Sequence, residues 1–194
     1  MKNRKRVAAL VVAVAIGVAG CGGEAGDGSV AGGGPSGSAV SQGQFNEADV
    51  EFASHLIAHQ QQAVQLANMA ARRATTPAVK KLAMAIKAGQ TREIQLMSGW
   101  LKAWGKPLPA TGHGSHGTPL PGKLTEDEMS ALGRTDGPEF DRLWTRMMIK
   151  HHKGAITMAK TQRTTGKNEA AVALAKKIET AQTREVATLQ RMPK

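Results

Sequence analysis

The chain has six histidines in 194 residues. Four of them stand in two short segments with matching patterns. His55 and His59 are four residues apart, as are Met147 and His151, and His152 follows directly. On an α-helix a spacing of four brings two side chains to the same face, where their donor atoms can reach one point. At 100° per residue, Phe52, His55, His59, Ala63 and Leu66 share a face. Trp144, Met147, His151, Ala155 and Met158 do the same, with His152 on the flank. Both faces are otherwise apolar and should point inward. Burying an imidazole without a partner costs roughly 2 kcal/mol or more, so these side chains need partners, and a metal ion is an economical one. For each residue alone the plain alternatives are a hydrogen-bonded core histidine and a methionine that merely packs.

The elements that must carry these residues repeat themselves. A gapless shift of 92 residues places Asp49, His59, Ala63, Gln90 and Glu93 on Asp141, His151, Ala155, Gln182 and Glu185, and the run Gln-Thr-Arg-Glu recurs intact. Each repeat reads as two helices. In the first, about 46–73 and 77–103 part at Thr75-Thr76-Pro77, where Thr76 can cap and Pro77 suits the first helical position. In the second, about 138–164 and 167–191 part at Gly166. Pro107 to Gly122, rich in Gly, Pro and His, reads as loop. Thr125 and Glu128 form a capping box for a short helix before Gly133. The expected fold is all-α, a four-helix bundle built from two duplicated hairpins. Repeat 1 spans about 46–104, the linker about 105–124 and repeat 2 about 125–192.

Equal distances from the turns set Glu93 level with His59, and Glu185 level with His151 within about a turn. With a pseudo-twofold along the bundle and the first and third long helices diagonal to each other, all four would meet at one level. The glutamates are then candidates to orient the histidines as hydrogen-bond acceptors, or to pair with basic neighbours instead. His113 and His116 in the loop are accessory candidates, with a solvated linker as the alternative. Imidazole suits copper, zinc, iron and nickel, whereas thioether selects copper(I), so Met147 and Met158 lean the set toward copper. Zinc and iron stay open. A di-iron site would want Glu-x-x-His on two helices, and none occurs.

These residues also resemble a known family, the bacterial domain of unknown function 305. The resemblance is carried by Glu126-Asp-Glu-Met129, Phe140-Asp141, the string Met147-Met-Ile-Lys-His151-His152-Lys-Gly-Ala155-Ile-Thr-Met158-Ala159, and Gln90-Thr-Arg-Glu93-Ile94-Gln-Leu-Met97-Ser-Gly-Trp100. It covers about residues 45–191. It implies an exported, ferritin-like four-helix domain, with copper binding as the implied property. The first repeat departs from the pattern: His55 stands where methionine is typical, Gln60 where the second histidine falls, and Leu66 where the later methionine falls.

The N-terminus carries a separate message. Lys2, Arg4, Lys5 and Arg6 precede an apolar run from Val7 to Ala19, too short to span about 30 Å of hydrocarbon but suited to a signal peptide. Val18-Ala19-Gly20-Cys21 resembles a lipobox, and Cys21, the single cysteine, is the expected lipidation site. Residues 1–20 read as signal peptide, 21–44 as a Gly/Ser-rich tether and 45–194 as the folded part. The net charge is +11; without the n-region 22 basic residues face 15 acidic ones, a surplus of +7. The basic residues are scattered without an aromatic platform, which points away from nucleic acid and toward anionic lipid or envelope polymers. Three readings follow. The first is a lipid-anchored, extracytoplasmic metal-binding protein, for copper above all, that buffers the ion or passes it to a transfer partner without catalytic turnover. The second is a non-metal structural or interaction bundle. The third is a ferritin-like metal oxidase.

Overall fold

The computed structural model describes residues 43–109 and 120–192. Cys21, the expected signal peptide and nearly all of the tether, together with His113 and His116, lie outside the described residues. Among the described residues the regular structure is helical, in the order α1 (Glu47–Arg73), α2 (Pro77–Ala103), α3 (Glu126–Gly133), α4 (Gly137–Thr165) and α5 (Glu169–Gln190). No described helix is long and apolar enough to cross a membrane.

Local signals set most of these bounds. Asn46 and Asp49 form a reciprocal capping box at the start of α1, and Thr125 and Glu128 form the expected one at α3. Pro77 opens α2 at a position where no amide hydrogen is needed. Thr76, expected to cap α2, does not. Its amide and hydroxyl instead donate to Asp141 of α4, as do those of Thr75. The mirror image of this contact exists at the other end. Asp49 of α1 accepts from the amides of Lys167 and Asn168 at 3.1 and 2.9 Å, the positions that a shift of 92 makes equivalent to Thr75 and Thr76. Each hairpin therefore satisfies the exposed amides at its partner's second helix start.

α1 packs on α2, α4 on α5, and the hairpins meet through α1 and α4. The register between those two helices can be read from Asp49 with Gln162, His59 with His151, and Leu66 with Trp144. Positions rise along α1 as they fall along α4, so the helices are antiparallel and in direct contact. The expected diagonal placement is thus replaced by adjacency, and the axis relating the hairpins crosses the bundle instead of running along it. The three-residue connections after Arg73 and Thr165 are bound by the opposite hairpin, and that forces α1 and α4 side by side.

Two apolar clusters result. One gathers Leu56, Ile57, Met97, Leu101, Ala155 and Ile178. The other gathers Leu66, Ile86, Leu132, Phe140, Trp144 and Met148. Between them lies a belt of polar side chains, contributed by His59 and Gln60, Gln90 and Glu93, His151 and His152, and Gln182 and Glu185.

Candidate metal centre

The belt is built where α1 crosses α4. The rings of His59 and His151 lie 3.7 Å apart between centroids, tilted by 35°, and are 0% and 1% exposed. His59 Nε2 donates to the Pro121 carbonyl at 3.0 Å. His151 Nε2 donates to the His59 carbonyl at 3.1 Å. A carbonyl can only accept, so each bond places the proton on Nε2 and leaves the lone pair on Nδ1. His152 Nε2 meets Glu185 Oε2 at 2.7 Å. All three Nδ1 atoms are buried with no hydrogen-bond partner among the described residues.

Burial dominates the electrostatics. It drives the His59 pKa down to about 3, against the raising effect of the Pro121 carbonyl, with His152 and Lys123 adding to the fall. His151 is held well below the ordinary histidine value, first by burial and then by its histidine neighbours. Burial also pushes the Glu93 carboxyl up; the Gln60 amide opposes this, and the nearby Glu185 adds to it. The Glu93–Gln60 bond is the counterpart, shifted by 92, of Glu185–His152. The glutamates therefore meet the residues one place beyond His59 and His151, and His152 gains the partner expected for His151.

The six metal candidates do not form one cluster. His59, His151 and His152 belong to the belt. His55, expected to face the core, is exposed and lines an open groove with Met158, Glu51, Phe52 and Pro121. Residues 121–136 follow the α1–α4 junction from the Pro121 carbonyl on His59 to Thr135 and Asp136 on Arg73, and Pro121 at their start borders the groove of His55. Met147, the counterpart of His55, joins Leu124 and Leu132 in the apolar cluster instead. Among the described residues no three His, Cys, Asp or Glu side chains are grouped so as to hold a metal ion. The donors are thus a buried imidazole pair, an imidazole–carboxylate dyad and a surface His/Met pair.

Gln60, Gln90 and Gln182 were not singled out by the sequence as site residues. Each is buried, with its amide oxygen unpartnered among the described residues. Asp49 and Asp141 were likewise passed over as builders of the frame. A signal existed for most of these. Asp49/Asp141 and Gln90/Gln182 are among the few polar residues that survive the shift of 92 unchanged.

A helical bundle of two cross-capped hairpins around a histidine belt is the class of protein that fold and site define. Residues 49–193 match the family described as domain of unknown function (DUF305), and the chain belongs to that family. No curated protein is similar enough to stand as a relative. Among solved structures, the chain is similar to a DUF305 protein from Streptomyces coelicolor described as secreted, with 29% identity, a TM-score of 0.67, and coverage of 73% of this chain and 89% of that one. It is similar to CopM in a Cu(II)-bound form, with 31% identity, a TM-score of 0.64, and coverage of 74% and 93%. CopM in a Cu(I)-bound form matches at 30% identity and a TM-score of 0.61, over 74% and 93%.

Proposed function

We propose that this protein binds copper on the outer side of the cytoplasmic membrane, held there by a lipid on Cys21, and that it buffers the ion or delivers it to a transfer partner. The observation that carries the copper reading is the set of three buried, unpartnered Nδ1 atoms on His59, His151 and His152. Each ring is already fixed through Nε2, the arrangement in which a histidine is ready to ligate through its other nitrogen. The His55–Met158 groove adds an accessible imidazole and thioether, a combination that favours copper over zinc or iron. The likeness to copper-bound CopM supports the same reading. Titration calorimetry of the purified chain with copper(I) and copper(II) tests it, and absence of saturable binding in both states would overturn it. Fractionation of the Cys21→Ser variant tests the anchor. If that variant still sediments with membranes and is processed like the parent, the lipid reading fails.

One observation favours the second reading, a bundle whose histidines serve packing alone: every belt Nε2 already has a protein acceptor. The two readings part on metal-dependent stability. A ligand that binds the native state alone raises the melting temperature with its concentration, and a packing histidine does not.

A further inference from the structure

Residues 120–124 lie across the belt, and three independent contacts hold them there. The Pro121 carbonyl accepts from His59 Nε2 at 3.0 Å. The Gln62 side chain bonds both polar backbone groups of Leu124, accepting from its amide at 2.7 Å and donating to its carbonyl at 2.9 Å. Gly122 adopts φ +71°, and a Cβ there would lie 2.6 Å from the Lys150 carbonyl and 2.8 Å from the Gly154 Cα. Gly154 completes the fit, because a Cβ on it would overlap the Pro121 carbonyl.

Gln62 and Gly154 are the same position of the duplicated repeat. One helix grips the segment with a side chain, and the other receives it on bare backbone. The duplication has put one position to two opposite uses, both directed at a single stretch of five residues. That stretch lies between the open groove of His55 and Met158, which Pro121 lines, and the wholly buried His59.

We infer that residues 120–124 form a strap that closes the histidine pair, fixes the tautomer of His59 through the Pro121 carbonyl, and must lift from Gln62 and Gly154 before anything in solvent can reach His59. Gly154 and Gln62 are positioning residues, acting on the pair through the strap. The inference deepens the copper reading, which it supplies with a route: an ion caught at His55 and Met158 passes to His59 when the strap opens. Its test does not depend on copper.

The experiment is site-resolved acylation of histidines by diethyl pyrocarbonate in the metal-free full chain, read by peptide mass spectrometry. In the parent, His55 should react at the rate of a free imidazole and His59 at least a hundredfold more slowly. Gly154→Ala adds the clashing Cβ, and Gln62→Ala removes the grip without adding an atom. Each should raise the His59 rate at least tenfold and leave that of His55 unchanged. The Nε2–H resonance of His59, slowly exchanging in the parent, should broaden or vanish in both variants. A His59 rate unchanged in both helical variants, or equal to that of His55 in the parent, overturns the strap. If Gly154→Ala loses its helical circular dichroism, Gln62→Ala alone decides. Copper titration of the same proteins separates the two ideas. No binding in the parent removes the copper reading and leaves the labelling result standing. Faster copper uptake in the variants supports both.

Discussion

The two hairpins descend from one pattern, yet they finish its polar positions differently. In the first, Gln60 bonds Glu93; in the second, His152 bonds Glu185. In the first, His55 opens onto a groove; in the second, Met147 is sealed beneath Leu124 and Leu132. What stays the same is equally informative. His59 and His151, Asp49 and Asp141, and Gln90 and Gln182 keep both identity and place. Within the invariant set, His59, His151 and Asp49 take part in bonds between α1 and α4, whereas in the variable set His55 is exposed and Met147 belongs to an apolar cluster. A duplicated frame has been kept for geometry while its two copies have diverged in chemistry.

The comparison breaks most completely at the shared pair. Replacing His59 and His151 together with Ala should weaken copper binding at least a thousandfold, about 4 kcal/mol, in calorimetric titrations of a protein that is still helical. Retained affinity would move the site to the groove.

Acid probes the same pair through stability. A histidine whose folded pKa is depressed to about 3 binds a proton more readily when unfolded. Its stabilising contribution is therefore complete above about pH 6.5 and is lost as pH falls from there toward 3, at about 1.4 kcal/mol per unit. His151 acts in the same direction. Urea unfolding of the metal-free chain should show stability declining steadily below pH 6.5, with a shallower slope in His59→Gln. Equal slopes would mean that His59 is not buried neutral. Because burial keeps His59 and His151 neutral below the ordinary histidine range, copper binding to this pair should persist below pH 6.5 and fade only in more acidic solution.

The invariant carboxylates come next. Burial pushes the Asp141 carboxyl up, but hydrogen bonds from Thr76 and Thr75 outweigh this and hold it below the usual range. Asp141→Ala strips the start of α2, and Asp49→Ala strips that of α5. Each should cost about 2 kcal/mol, a drop of roughly 4–8 °C in melting temperature for a domain of this size. Asp49→Ala should be the worse of the two, because it also frees the buried Gln162 amide. A loss in Asp141→Ala as large as that in Asp49→Ala would show that the Asp49–Gln162 bond adds nothing to stability.

The smallest effect separates the methionines. Met158→Leu should weaken copper(I) about tenfold, roughly 1.4 kcal/mol, and leave copper(II) little changed. Met147→Leu, inside the apolar cluster, should alter neither by as much. The reverse order would place the thioether ligand on the sealed side.

Helix bounds were legible because caps, prolines and apolar period act locally; the five helices follow Asn46, Pro77, Thr125 and their neighbours to within about two residues. The meeting of His59 with His151 was legible from the repeat. The partners of Glu93 and Glu185 were not, since a height along a hairpin fixes a level but not a rotation, and one residue turns the helix by 100°. The exposure of His55 was equally hidden, because a helical period gives a residue's direction but not what packs over it. Gly154 gave no local sign of its role, and only the segment lying against it explains why a side chain is excluded there.

The reciprocal carboxylate caps carry one more consequence. Asp49 and Asp141 each close the partner's interhelical turn, so neither hairpin has a complete set of backbone bonds by itself. Opening one half strands unpaired amides in the other. The folded part should therefore behave as one cooperative unit in native-state hydrogen exchange, with the amides of Thr76 and Asn168 released together at the free energy of global unfolding.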